Sequence, residues 1–382
     1  MKNILFITHN SNINTSKGVR HQNIIKFLSD YYKISVISYD DFISKTNTVS
    51  KSKSPLSKLK KLIYRQIIRR FSFPDEFFFI RRWYRLEALK QLKAAHYDAI
   101  ILGVPPYSFY RIAGSLKKNY PHIKLIMDIS DPFYGNVTVL HSNNFILKTL
   151  AKAYEKKYVN LADHLVVLNE EIKTFYGLTF GIKNISVIEQ GVDNLIIEKI
   201  SDAYRKIPKR EKDKSEPFVL VYGGLFYKKF REPFELYKAM ELSKINIKLK
   251  IFGKINPKFL PEPSDKIEYH GRVKQEDLFR EYMQADMIVF IDNAYGIQVP
   301  GKTIELTIFN KPILFISSND QSASFRYFQK CQHLIRVENN YKSIEQQLNP
   351  IKTSYFKESS LKFDISEYYW QNLIPKYLPL IN

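Results

Sequence analysis

Lys302 and Glu305 stand three residues apart in the stretch Gly296-Ile-Gln-Val-Pro-Gly-Lys-Thr-Ile-Glu-Leu-Thr-Ile-Phe-Asn-Lys-Pro-Ile-Leu-Phe-Ile316. On a helix this spacing puts both side chains on one face. Gly301, just before them, lets a ligand approach the backbone closely. Free amide hydrogens and partial positive charge at a helix start suit a phosphate, and the Lys302 ammonium adds a full charge. A carboxylate one turn further on can accept two hydrogen bonds from a ribose diol. The combination reads as a nucleotide cradle. The plain alternative is a solvated helical ion pair.

The elements needed to position these groups are legible around them. Pro300 suits the first turn of a helix and Asn310 a left-handed exit. Pro312–Ile316 is a short apolar run typical of a buried parallel strand. Loop, helix and strand follow in order, and the same grammar runs through the chain. Strand-length apolar runs fall at Asn3–Thr8, Ile34–Ser38, Ala99–Leu102, Lys124–Asp128, His164–Leu168 and Ile185–Glu189, and again at Phe218–Tyr222, Ile247–Phe252, Ile267–Tyr269, Met287–Ile291, Pro312–Ile316 and His333–Val337. Helical spacing separates several of them, as at Ile24, Ile25 and Leu28.

This alternation predicts an α/β fold of two doubly wound, Rossmann-like parallel-sheet domains facing across a cleft, with polar loops at the strand ends where such sheets bind ligands. The first domain spans residues 1–198 and the second 217–360. The charged stretch 199–216 connects them. Residues 361–382, with Trp370, Leu373, Ile374 and Tyr377 at helical spacing and Pro375 inside, predict a kinked helix lying across the domains.

With 382 residues the chain exceeds what one core usually serves. Its one cysteine, Cys331, excludes an internal disulfide and fits a reducing cytoplasm. The first apolar run is too short for a signal peptide, and nowhere do about 18 apolar residues follow one another, so no membrane-spanning segment is expected.

The formal charge is +21, and residues 51–93 hold 13 Lys and Arg against three acids. Within 51–71, Leu56, Leu59, Ile63 and Ile67 recur at helical spacing while Lys58, Lys61, Arg65 and Arg69 take other faces. Such a basic amphipathic helix suits an anionic membrane surface, or packs its apolar stripe on its own domain. The dense aromatics of Phe71–Trp83 complete a core or dip into the interface.

Other chemistry is poorly represented. There is no H-E-x-x-H, no cysteine-histidine cluster and no G-x-x-x-x-G-K-[ST] loop. Asp128, Asp131 and Asp286 form no recognisable D-x-D pair, so no metal is expected. Asp128 and Asp131 end a strand of the first domain, where they either orient an acceptor hydroxyl or serve as cap and turn residues. Gly18, with Ser16 and Lys17, either admits a ligand at the first strand's carboxyl edge or marks a turn. In the second domain Gly223, Gly224, Lys228, Lys229, Arg231, Lys302 and Glu305 are the residues suited to a diphosphate and its ribose. A nucleotide-sugar donor is the economical inference, since the diphosphate becomes a leaving group.

Taken together, Tyr97-Asp-Ala-Ile-Ile-Leu-Gly-Val-Pro-Pro-Tyr-Ser108, Asp128-Ile-Ser-Asp-Pro132, Val187-Ile-Glu-Gln-Gly-Val-Asp193, Tyr222-Gly-Gly-Leu225 with Arg231-Glu-Pro233, His270-Gly-Arg-Val273 and Pro300-Gly-Lys-Thr-Ile-Glu305 resemble the family 4-type glycosyltransferases of GT-B architecture, over nearly the whole chain. The resemblance implies a retaining, metal-independent transferase that needs no cofactor. It would bind a UDP- or GDP-linked donor mainly in the second domain and a glycan or lipid-linked acceptor in the first. By position, Glu305 matches the ribose-binding glutamate, and Gly223 with Gly224 the glycine turn under the diphosphate. Lys229 and Arg231 stand near the diphosphate-contacting cations, and Gly18 falls at the loop near the reaction centre. Gly18, Asp131 and Arg231 are thus the candidate catalytic set. Gly223, Gly224, Lys229, Arg231, Gly301, Lys302 and Glu305 are the candidate donor-binding set, and Lys58, Lys61, Arg65 and Arg69 the candidate membrane or acceptor surface. The chain departs from the family pattern at Ile297, where many members carry a further glutamate, and in keeping one glycine in the first loop where many have two.

The expected function is a glycosyltransferase of surface polysaccharide biosynthesis, cytoplasmic and peripheral at the inner face of the cytoplasmic membrane. A nucleotide-sugar epimerase of similar two-domain shape is the alternative. A nucleic-acid-binding protein is suggested by charge and aromatics alone, without a docking motif, so no nucleic-acid partner is expected.

Overall fold

The computed structural model describes residues 1–9, 15–46, 72–78, 80–136, 144–193, 197–200, 202, 213, 215–309, 311–329, 331, 334–349 and 365–382. The basic stretch with Lys58, Lys61, Arg65 and Arg69 lies outside them, as do Asn310 and most of the expected connection.

The chain forms two compact units, Met1–Gly191 with Tyr368–Asn382, and Val192–Glu367. In the first, β1 (Asn3–Ile7), α1 (Ser16–Leu28), β2 (Lys33–Ile37), α2 (Tyr39–Thr46), α3 (Ile80–Ala94), β3 (Ala99–Val104), α4 (Tyr110–Asn119), β4 (Lys124–Ile129), α5 (Phe145–Val159), β5 (His164–Val167), α6 (Glu170–Phe180) and β6 (Ile185–Val187) build a six-stranded sheet of order β2-β1-β3-β4-β5-β6. In the second, β7 (Phe218–Gly223), α7 (Phe234–Leu242), β8 (Ile247–Phe252), β9 (Ile267–Gly271), α8 (Gln275–Gln284), β10 (Met287–Ile291), α9 (Thr303–Thr307), β11 (Ile313–Ser317), α10 (Phe325–Phe328), β12 (Leu334–Glu338) and α11 (Tyr341–Leu348) build a sheet of order β12-β11-β10-β7-β8-β9. Every pairing is parallel.

Sequence dictates this burial directly. β3, β10 and β11 are buried at every position, as their unbroken apolar runs require of strands covered on both faces. Helix starts carry side-chain caps: Thr15 accepts from the Gly18 amide, Asn144 from Leu147 and Asn169 from Ile172. In each sheet the chain changes direction beside its first strand, between β1 and β3 in the first and between β7 and β10 in the second. Such switch points open a crevice at the carboxyl ends of the strands.

The last segment belongs to the first unit. Trp370, Leu373, Ile374 and Tyr377 are all buried, in one cluster with Ile4, Phe6, Ile24 and Ile126. They form two short α-turns, α12 (Trp370–Leu373) and α13 (Leu378–Ile381), joined by the 3-10 turn Ile374–Tyr377. Pro375 and Pro379 each occupy a first-turn position, where a proline's missing amide costs nothing. Beneath them Arg20 donates two hydrogen bonds of 2.9 Å to Asp128 and one of 2.7 Å to the Glu189 carbonyl. The Tyr377 hydroxyl donates a short bond to Asp128. Burial opposes ionisation of Asp128, but Arg20 and His21 outweigh it and hold the carboxyl well below the usual range.

One element is shorter than its sequence signals suggest. The expected helix from Pro300 is the five-residue α9. The Pro300 carbonyl accepts from both the Thr303 amide (3.0 Å) and the Thr303 hydroxyl (2.6 Å), closing a tight turn over Gly301 and Lys302 before the helix begins. The β-branched Thr303, Ile304, Thr307 and Ile308 do little to lengthen it.

Candidate functional site

At the switch point of the second sheet, β7 ends in Gly223 and β10 is followed by Asp292 and Asn293. Gly224 is pinned by its amide to the Phe252 carbonyl at 2.8 Å. A Cβ at Gly223 would collide with the Tyr282 hydroxyl, and one at Gly224 would lie 2.6 Å from Lys302 Nζ. Gly253, after β8, has φ +140° and would drive a Cβ into the Gly224 carbonyl. Only glycine accepts that backbone, so the floor of the site is set by main chain packed against main chain.

Lys302 comes up over this floor from the turn before α9. Its Nζ sits 4.4 Å from the centroid of the Tyr222 ring and is buried without a hydrogen-bond acceptor. Burial, with Arg231 adding repulsion against the weaker pull of Glu305, lowers its pKa to about 7. Arg231 is buried; it donates a short hydrogen bond to Asn293 Oδ1, and its Nε has no acceptor. The backbone of Tyr227–Arg231 is a tight antiparallel bridge, with both amide-carbonyl bonds at 2.8 Å. Asn293 in turn donates to the Gln298 carbonyl at 2.7 Å, tying Arg231 to the loop that leads into Lys302.

Glu305 lies one turn beyond Lys302 in α9. It accepts from Gln275 Nε2 at 2.9 Å, and its carboxyl pKa is raised by burial against the opposing effects of Gln275 and Lys302. Gly223, Gly224, Arg231, Lys302 and Glu305 are thereby brought together. Gly301 is exposed on the turn before them. Lys228 and Lys229 are also exposed, at the tip of the Tyr227–Arg231 hairpin. Lys229 takes a left-handed φ of 59° and gives its amide to Glu232 at 2.9 Å, and no contact among the described residues links its ammonium to Lys302 or Glu305.

Three participants had no role assigned from the sequence, although Tyr222 opens the quoted Tyr222-Gly-Gly-Leu225 motif. Tyr222 supplies the ring under Lys302, Asn293 orients Arg231, and Gln275 holds Glu305. Asn293 alone had a usable signal, as a polar residue just beyond the carboxyl end of a buried strand.

In the first unit Gly18 lies within the first turn of α1, its amide occupied by the Thr15 cap at 3.0 Å. Next to it, Lys17 Nζ pairs with Asp131 at 2.7 Å, and both side chains remain partly exposed. The loop bearing Asp131 is fixed by Glu155, which is buried and accepts from the amides of Phe133 (2.7 Å) and Tyr134 (2.6 Å) and from the hydroxyls of Tyr110 (2.8 Å) and Tyr176 (2.7 Å). Asp128, by contrast, is enclosed by Arg20 and Tyr377 and is a core residue.

Among the described residues no cluster of three or more His, Cys, Asp or Glu is arranged to hold a metal ion, and no helix is long and apolar enough to cross a membrane.

No protein-family model and no curated protein matches the chain by sequence. Solved structures do match. A glycosyltransferase from Rickettsia africae ESF-5 is similar over 100% of this chain and 97% of its own, with a TM-score of 0.60 at 16% identity. Anabaena Alr3699/HepE in complex with UDP and glucose is similar over 100% of this chain and 96% of its own, at TM-score 0.57 and 10% identity. The lipopolysaccharide outer core galactosyltransferase WaaB, in its apo form, is similar over 100% and 99%, at TM-score 0.58 and 13% identity. The chain therefore shares with these proteins an α/β fold of two Rossmann-like parallel sheets, as its own strand pattern leads one to expect.

Proposed function

We propose that the chain is a nucleotide-sugar-dependent glycosyltransferase, moving a sugar from a UDP- or GDP-linked donor to a glycan or lipid-linked acceptor with retention of configuration. One observation carries the reading. Lys302 and Arg231, two cationic side chains that repel one another, converge at the switch point of the second sheet with buried nitrogens lacking acceptors. Such an arrangement is costly until an anion enters it. A diphosphate over Gly223 and Gly224 supplies the charge, and Glu305, steadied by Gln275, takes the ribose hydroxyls. The two cations stabilise the diphosphate most when it departs with added negative charge. The departing phosphate takes the acceptor proton, so the reaction needs no separate base, and the family resemblance implies no metal. Asp131, paired with Lys17 beside Gly18, orients the acceptor in the first unit.

The UDP and glucose held by the Anabaena protein support a nucleotide-sugar as donor. A cytoplasmic enzyme resting on the inner membrane face through its basic stretch accords with the net charge of +21, and a surface polysaccharide as product follows the family resemblance. Titration of UDP- and GDP-sugars tests the site. Glu305→Ala and Arg231→Ala should each weaken donor binding about tenfold or more, since each removes hydrogen bonds to or from a charged group. Unchanged affinity in both would sink the assignment. Flotation with anionic and neutral vesicles tests the membrane part independently: equal binding to both, or binding that survives removal of residues 51–71, would end it.

A further inference from the structure

We propose that Arg81 and Arg111 form a second anion site, in the first unit, built to take a phosphate group. Arg81 stands at the start of α3 and Arg111 at the start of α4, and both lean on the same ring. The guanidinium carbons lie 4.3 Å and 5.3 Å from the Phe78 centroid, and Arg111 is also 5.8 Å from the Tyr154 ring. Arg81 Nη1 and Arg111 Nε are buried and have no hydrogen-bond acceptor. Neither arginine forms an ion pair with an acid among the described residues. Asp75, the carboxylate that acts on Tyr154 alongside both arginines, accepts from the amides of Ser108 at 2.9 Å and Phe77 at 3.1 Å. The Tyr154 hydroxyl is likewise committed, to the Tyr107 carbonyl at 3.1 Å.

Two permanent cations thus lie against one aromatic ring, with no carboxylate among the described residues in ion-pair contact with either. Burial, with Arg111 adding repulsion, outweighs the pull of Tyr154 and Tyr158 and depresses the pKa of Arg81, so the pairing is unfavourable as it stands. Stacking on Phe78 offsets only part of this. What satisfies it is an anion with several acceptor oxygens and close to two charges. A phosphate fits better than a carboxylate, because planar guanidinium forks meet its oxygens two at a time. The site does not depend on the donor reading: it lies in the other unit and uses none of the same residues.

Equilibrium dialysis with labelled inorganic pyrophosphate tests both sites at once. Wild type should bind two equivalents, Arg81→Gln/Arg111→Gln one, Lys302→Met one, and the combined variant none. If wild type binds one and the arginine variant none, the proposal stands and the donor reading falls. If pyrophosphate binding is unchanged by the arginine variant, the proposal is overturned. Vesicle flotation identifies the natural source. A drop of about tenfold or more in binding to phosphatidylglycerol vesicles, with no change on phosphatidylcholine, makes the phosphate that of a lipid headgroup; unchanged vesicle binding beside lost pyrophosphate makes it that of a soluble ester. Should the double variant not fold, Arg111→Lys keeps the charge and loses the fork, and must weaken the second equivalent. An unaltered second equivalent in that variant would equally overturn the proposal.

Discussion

The Lys302 ammonium rests on the face of Tyr222, 4.4 Å from the ring centroid, where it is shielded from water and from any hydrogen-bond acceptor. With its pKa lowered to about 7, the lysine is about half charged at neutral pH, whereas in the unfolded chain it stays charged to about pH 10. The unfolded state therefore holds more protons between these values, and this residue's contribution to stability rises as pH climbs from about 7 to 10. A diphosphate reverses the preference. Nucleoside diphosphate binding at pH 7.5 should take up a fraction of a proton, read by calorimetry in buffers of different ionisation enthalpy, and affinity should fall as pH rises. Lys302→Met should abolish the uptake; uptake that persists in this variant would show that Lys302 is not its source.

Two glycines of the site should respond differently. Gly253→Ala forces a side chain into a left-handed conformation and against the Gly224 carbonyl, and should cost at least about 1–3 kcal/mol in stability from the strain alone. Gly224→Ala meets side-chain atoms alone, the flexible end of Lys302 at 2.6 Å and the Tyr222 hydroxyl at 3.0 Å, so it should cost less stability than Gly253→Ala while donor binding weakens. Chemical denaturation and ligand titration on both variants separate the outcomes. Equal loss of stability in the two would refute the distinction.

Asn293→Ala leaves Arg231 without the carbonyl that orients it. Donor affinity should fall about 3- to 10-fold, less than in Arg231→Ala, because a positioning bond is worth about 1 kcal/mol. An Asn293→Ala variant weaker than Arg231→Ala would mean that Asn293 contacts the ligand itself.

In the first unit Asp128→Asn should be severe. It leaves the Arg20 charge buried with no carboxylate beneath it, and breaking a buried pair in this way costs about 3–5 kcal/mol. Urea unfolding gives the value directly, and a loss under about 1 kcal/mol would mean that water reaches Arg20.

The reaction class has its own test. Incubation with labelled UDP- or GDP-sugar and a membrane glycan fraction should move label to the acceptor. Label that stays on the nucleotide as an altered sugar would establish an epimerase instead.

How much of this was legible beforehand follows from what sets each feature. The twelve strands among the described residues could be read from strand-length apolar runs, most plainly where the run is unbroken, as at Met287–Ile291, and has few other places to go. The helix at Lys302 could be recognised but not measured, since its length depends on the Thr303 hydroxyl turning back to the Pro300 carbonyl. Convergence of Lys302, Glu305, Arg231 and the glycine pair could be expected from their residue types and from the motifs that resemble the transferase family, whereas the strand order that brings them together is not carried by apolar patterning. Tyr222 and Gln275 did not follow, because a ring under an ammonium and an amide beside a carboxylate are tertiary facts with no local pattern. Nor could spacing reveal that Asp128 is walled in by Tyr377, a residue at the other end of the chain.

That last contact bears on the order in which the molecule is made. Tyr368–Asn382 emerges from the ribosome only after the whole of Val192–Glu367, yet it fills the core around Ile4 and Phe6 and is bonded to Lys2 and Tyr32 through Ile381 and Asn382. The earliest-synthesised sheet must wait, partly uncovered, while a later one closes. A released chain truncated before Tyr368 should accordingly be cut by protease around α1 while the second unit resists, and resistance around α1 in that chain would refute this sequence of events.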